Sequence, residues 1–221
     1  MISIRLEQVL REAVQTAYSN LVTRPTGRAV RTSIQDRLST GEWAIATLDF
    51  TNIQLVDLSC ADEVVAKLMA DPPAGTYLIL HGLHDDQLEA IHHVLEHHQL
   101  AAVARDPVRG TLRLVGAASA DEVQAFDALA GHPALTPAAL AALTAWEEDR
   151  ARATLATLAR RRLARALEDG YAVPFERLSG SSAPPPRPST ASRRGAPTGR
   201  RWWRRSTRAA PSPTRWARAR K

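Results

Sequence analysis

Residues 48–69 read LDFTNIQLVDLSCADEVVAKLM, and the order of features within them decides the fold. The stretch opens inside Trp43–Phe50, a short run rich in strand formers. A Thr51-Asn52 turn follows, and then a second extended run over Ile53–Val56. From Ser59 the period changes. Ala61, Val64, Val65, Leu68 and Met69 fall at i, i+3, i+4, i+7 and i+8, the apolar stripe of an amphipathic helix. Ser59 is expected to cap that helix, with Asp62 three residues on in a capping-box-like spacing, a device worth about 1 kcal/mol. Asp71-Pro72-Pro73 stops it.

The pattern continues in both directions. Downstream, Tyr77–Leu80 is a continuous apolar run, as expected of a strand buried on both faces. A helix is predicted over Asp85–His98 with Leu88, Ile91, Val94 and Leu95 inward, then strands at Ala101–Ala104 and Leu112–Val115. Upstream, residues 6–19 form a helical stripe through Leu6, Val9, Leu10, Val14 and Ala17. A second helix is predicted from Thr23 as N-cap, with Pro25 in its first turn, to about Leu38. This order predicts an α/β or mixed sheet with packed helices over residues 1–116.

Residues 119–178 read differently. Helices are predicted over Ala120–Ala130, Pro137–Thr144 and Glu147–Leu163. A hairpin of Ala164–Leu167 and Tyr171–Val173 follows, turning at Asp169-Gly170. Three helices and a hairpin make a small winged-helix-like α+β unit. Residues 179–221 are rich in Ser, Pro and Arg without periodicity, and are expected to be a disordered tail. That abrupt composition is also what a GC-rich gene yields when read out of frame. Its Trp202, Trp203 and Trp216, set among arginines, also suit stacking on bases or an anionic surface.

The formal net charge is +6, but residues 181–221 carry 12 of the 29 Lys and Arg and none of the 23 Asp and Glu. Residues 1–180 are left with 17 basic against 23 acidic side chains, so the basic character belongs to the tail and gives no whole-chain argument for DNA binding. Cys60 is the single cysteine, which removes an intramolecular disulfide. No basic segment followed by an apolar run opens the sequence, and no apolar stretch approaches the roughly 20 residues that span a bilayer. A cytoplasmic protein is expected.

Three segments carry a resemblance: LVTRPTGRAVRTSI (residues 21–34), LDFTNIQLVDLSCADEVVAKLM (residues 48–69), and the Tyr77–Leu80 strand with its following helix. Together they resemble the STAS-like domains of bacterial regulatory proteins, relatives of the anti-sigma-factor antagonists, over about residues 3–116. In those antagonists the corresponding helix begins Asp-Ser-Ser-Gly, and a partner kinase phosphorylates the first serine. Here the run is Asp57-Leu58-Ser59-Cys60, with leucine at the acceptor position and cysteine in place of glycine. The resemblance implies a non-enzymatic regulator acting by protein–protein docking in a partner-switching pathway. Its docking residues would be Asp57, Leu58, Ser59, Cys60 and Asp62, and its partner a kinase, an anti-sigma factor or a sensor. Phosphate at a helix N-terminus is electrostatically favoured, so Ser59 is read either as a substitute acceptor or as a plain cap.

Other chemistries fit the residues less well. His93 and His97 are i, i+4, but IHHVLEHH is not the H-E-x-x-H arrangement, and the apolar stripe turns both toward solvent. No metal and no cofactor is expected. Cys60 has acidic neighbours that oppose a thiolate, and reads as a small buried residue. No Gly-rich phosphate loop or G-x-S-x-G is present, so no enzyme is expected. The alternative is a winged-helix transcription regulator with a STAS-like sensing domain, its DNA contacts being Arg150, Arg152 and Arg165. Glu147, Glu148 and Asp149 at the head of the recognition helix oppose that.

Overall fold

The computed structural model describes residues 1–15, 19–42 and 44–175. Ala17, Trp43 and the tail of residues 179–221 lie outside the described residues. The segment that decides the fold supplies β3 (Ile45–Asp49), second in a five-stranded sheet ordered β1-β3-β5-β6-β7. Its companions are β1 (Ile2–Arg5), β5 (Tyr77–His81), β6 (Ala101–Arg105) and β7 (Leu112–Gly116). The first four run parallel, and β7 pairs antiparallel with β6. The chain is therefore α/β with a mixed sheet.

Its strand order never reverses. Because parallel crossovers are right-handed, every connecting helix must then fall on one face of the sheet. These are α1 (Leu6–Val14), α2 (Arg24–Ser39), the helical run of residues 58–70, and α5 (Asp85–His97). The first core has that composition: Leu10, Ile34, Val64, Leu68 and Leu95 pack with Leu48, Leu80 and Ala104. Side chains alternate along a strand, so Ile45, Ile79 and Val103 point the other way. They are also fully buried, under α6 (Ala120–Gly131), α7 (Pro137–Thr144) and α8 (Glu148–Arg160). Phe126, Leu129, Leu155 and Leu158 provide that cover. A parallel sheet needs both faces covered, and here the last three helices cover the second. Met1–Arg177 is one compact unit.

Several boundaries differ from those expected. Nothing in the sequence marks β1 or β2 (Asn20–Leu21), which have four and two residues, too few to establish a period. α1 ends at Val14, where Gln15 takes a left-handed conformation (φ 52°). The Ile53–Val56 run narrows to β4 (Leu55–Val56). The hairpin strands are β8 (Arg165–Leu167) and β9 (Gly170–Ala172), and Leu167 pairs with Gly170, so the turn is Glu168-Asp169 rather than Asp169-Gly170. Gly170 has φ +148°, and a Cβ there would lie 2.7 Å from the Leu135 carbonyl oxygen. Leu135 and Tyr171 exchange two backbone hydrogen bonds at that point, holding the hairpin against the chain before α7.

Candidate functional site

β2 and β4 form a short parallel ladder, Asn20 opposite Leu55 and Leu21 opposite Val56, which brings the start of α2 against the start of α3 (Leu58–Ala61). Asp57 occupies the junction. Its Oδ1 accepts the Cys60 backbone N–H at 2.7 Å and the Ser59 hydroxyl at 2.9 Å, while Oδ2 accepts the Thr23 N–H at 2.9 Å. The N-cap is therefore Asp57, not Ser59, because the helix starts at Leu58 and Ser59 lies inside its first turn. Burial works against the Asp57 charge, but the Thr23 and Cys60 N–H groups and the Ser59 hydroxyl outweigh it and hold the carboxyl below its ordinary value.

Thr23 precedes α2 with φ +77°, an outlier for a β-branched residue. Three bonds hold it there. Its N–H donates to Asp57, and its carbonyl accepts the Gly27 N–H at 3.1 Å and the Cys60 thiol at 3.0 Å. Cys60 is fully buried, and that burial, followed by the Asp57 charge, pushes its thiol up to about 12. Gly27 makes the approach of the two helices feasible: a Cβ on it would lie 2.9 Å from Glu63 Cβ and 3.1 Å from Cys60 Cα.

Past α3 the helix widens into a π-helical segment, Asp62–Ala66, before α4 (Lys67–Ala70). Such segments frequently accompany functional sites. Glu63 within it is fully buried and pairs with Lys67 at 2.5 Å, Arg24 at 3.1 Å and Arg31 at 3.2 Å. Asp62 pairs with Arg24 at 2.6 Å and with His98 at 2.7 Å. Burial opposes ionisation of both acids; Lys67 and Arg24 at Glu63, and Arg24 and His98 at Asp62, prevail and lower both values. The result is a charge lattice joining α2, the π segment and the end of α5.

Leu58 stands on that lattice with its side chain in solvent, 52 % exposed. It borders a cleft of about 380 Å³ with Arg24, Asp62, Val94, His93 and His97. The structure thus gathers Asp57, Leu58, Ser59 and Asp62 around one helix entrance, with Cys60 beneath it. Thr23 was read from the sequence only as a helix cap; it does sit at the N-cap position, but its side chain makes no cap hydrogen bond. Arg24, Gly27, Arg31, Glu63, Lys67 and His98 were not named as site residues. Their signal was the i, i+3, i+7 spacing of Arg24, Gly27 and Arg31 on one face of α2, and the i, i+4 pair Glu63–Lys67.

His93 and His97 are exposed, and among the described residues no group of three His, Cys, Asp or Glu side chains is arranged to hold a metal ion. Two of the three arginines named for DNA contact are engaged by acids. Arg150 makes a two-pronged contact with Asp121 at 2.7 and 2.9 Å and stacks 4.5 Å from the Trp146 ring. Arg152 pairs with Glu148 and Asp149 at 2.5 and 2.6 Å. Arg165 begins β8. Among the described residues no helix is long and apolar enough to cross a membrane. No family model, curated protein or solved structure matches this chain.

Proposed function

We propose that this chain is a non-enzymatic regulatory protein that docks a partner protein through the entrance of α3, as its resemblance to STAS-like domains implies. The observation that carries the reading is Leu58. An apolar side chain is held half in solvent at a helix start whose backbone is fastened from three sides by Asp57, Thr23 and the Glu63 lattice. A rigid, desolvatable anchor beside a cleft is what a protein interface uses as a hot spot. Val94, His93 and His97 line the cleft beside it, and Arg24 at its edge is held by Asp62 and Glu63.

Docking in this form does not require modification of Ser59. The Ser59 hydroxyl donates to the Asp57 carboxylate at 2.9 Å, so a phosphate there would lie against an existing negative charge. The carboxylate-engaged Arg150 and Arg152 favour protein docking over the winged-helix DNA-binding alternative.

The test is capture from nuclease-treated lysate of the source cell, with the full chain as bait beside Leu58→Asp and Ser59→Ala. Wild type and Ser59→Ala are expected to hold the same protein, and Leu58→Asp to lose it. Equal capture by Leu58→Asp, or a sequence-selective shift of duplex DNA with no protein captured, sinks the reading.

A further inference from the structure

β7 closes one side of the sheet, with β6 as its single neighbour. Two backbone bonds bracket that ladder, from the Asp106 N–H to the Thr111 carbonyl at 2.8 Å and from the Ala117 N–H to the Leu100 carbonyl at 2.7 Å. An antiparallel ladder alternates. Thr111, Arg113 and Val115 therefore turn their N–H and C=O toward β6, and Leu112, Leu114 and Gly116 turn theirs away from the sheet. The Gly116 N–H shows this directly, since it donates outward to His92 Nδ1 on α5 at 3.0 Å. Leu112 and Leu114 have no such partner among the described residues, which leaves two N–H groups and two carbonyls unpaired along the edge. A row of this kind is a template for one more strand.

The surroundings select that strand. A cleft of about 590 Å³ opens beside the edge, lined by Arg109, Thr111, Leu112 and Arg113 and, beyond β9, by Val173 and Phe175. Arg109 and Arg113 are exposed, while Leu112 and Leu114 are half-buried against the second core. Arg24, Arg37, Arg150 and Arg161 each pair with a carboxylate, but Arg109 and Arg113 make no ion pair among the described residues. Asp106 Oδ1 accepts the Val108 and Arg109 backbone N–H groups at 2.9 and 2.7 Å, and Asp127 on α6 lines the cleft without pairing to either arginine. Two unpaired cations beside an open strand edge complement carboxylates. A second copy of β7 does not fit. Pairing both outward leucines with those of another chain sets Leu112 opposite Leu114 and Arg113 opposite Arg113, and like charges directly opposed are destabilising.

We infer that the β7 edge binds an extended acidic peptide of a partner protein, added antiparallel as a further strand of the sheet. In the register that engages both Leu112 and Leu114, the peptide residue opposite Arg113 shares the face of that arginine and carries a carboxylate. The next residue, opposite Leu112, lies on the other face, where its apolar side chain enters the cleft against Val173 and Phe175. The one after that stands at the turn carrying Arg109, with a second carboxylate. The recognised pattern is acid, apolar, acid. Backbone bonds supply the affinity, and the alternate side chains supply the specificity. This surface shares no residue with the α3 entrance, so the two readings stand or fall separately.

The probe is the peptide Thr-Val-Glu-Leu-Glu-Thr, blocked at both ends and titrated into the full chain at physiological salt, with the Leu112 and Leu114 amide signals followed by NMR. Saturable movement of both signals is expected. N-methylation of the peptide's leucine removes the N–H that faces Leu112 and should abolish it, as should lysine in place of both glutamates. Arg113→Glu, at an exposed position, should weaken the acidic peptide about tenfold and strengthen the lysine one, because an attractive cross-strand pair becomes repulsive. Attraction of the peptide to the arginines of residues 181–221 is indifferent to N-methylation and to residue 113, so these two controls separate it from edge pairing. Absence of saturable movement, binding that N-methylation leaves intact, or an Arg113→Glu variant with unchanged preference overturns the assignment. So does self-association through β7 that excludes the peptide.

Discussion

The backbone N–H of Thr23 donates to Asp57 Oδ2 at 2.9 Å, so the carboxylate that caps α3 also holds the residue that opens α2. One side chain thereby sets the relative position of two helix starts separated by more than thirty residues. Removing it costs the cap of α3, a bond to a strained residue and the acceptor of Ser59 together.

Asp57→Ala is expected to destabilise the fold by about 2 kcal/mol, the loss of a charged cap that leaves the part-buried Cys60 N–H and the Thr23 N–H without their acceptor. Ser59→Ala removes only a donor to that carboxylate and should cost under about 1 kcal/mol. Urea unfolding of both variants decides which residue is the cap. Equal losses would restore Ser59 to that role.

Thr23→Gly should be neutral or stabilising by up to about 1 kcal/mol, because φ +77° is strained for threonine and free for glycine. Gly27→Ala should go the other way despite alanine's better helix propensity. The added methyl meets Glu63 Cβ and Cys60 Cα, and such overpacking costs about 1–3 kcal/mol. Thermal melts of the pair test whether α2 is held by backbone strain and close approach as described.

Acid should loosen this corner first. Asp57, Asp62 and Glu63 all have folded-state values below their ordinary 3.8, 3.8 and 4.5. Each therefore contributes stability that is present above the ordinary value and is lost as pH falls through the lowered one. Stability is expected to decline as pH drops below about 4.5, and Glu63→Gln should flatten part of that decline. At neutral pH the same variant should cost about 3 kcal/mol, since it removes the buried charge with which Arg24, Arg31 and Lys67 all pair. Denaturant midpoints measured from pH 3 to pH 8 would show both effects.

Cys60 should resist alkylation at pH 8 in the folded protein and react once the chain is unfolded. Its thiol is buried, donates to the Thr23 carbonyl and has its pKa pushed up to about 12. Iodoacetamide labelling followed by mass spectrometry, with and without urea, reads this directly. Rapid labelling without denaturant would mean that α2 and α3 part easily.

Residues 1–116 alone should not give a soluble monomer, although they hold every strand of the sheet. Cutting there bares Ile45, Ile79 and Val103, three fully buried side chains on one face. Size-exclusion chromatography of that fragment is the check. A monodisperse monomer would show that α6–α8 are dispensable for the sheet.

The repeating patterns were legible in the sequence because they are local. The apolar run at Tyr77–Leu80, the stripes of residues 61–69 and 88–95, and the Pro137–Thr144 helix each state their element without help from distant residues. The α/β class follows from their order. Five of the residues at the α3 entrance were legible too, since they lie within six positions of one another. Their partners were not: Thr23 meets Asp57, and Arg24 meets Asp62 and Glu63, only because β2 pairs with β4, and two-residue strands carry no period to read. The role of residues 120–160 was likewise decided by tertiary structure. Their helical stripes show that they bury something. Which surface they bury depends on the unreversed order of the strands, which sends every crossover helix to one face and leaves the other for α6–α8 to cover.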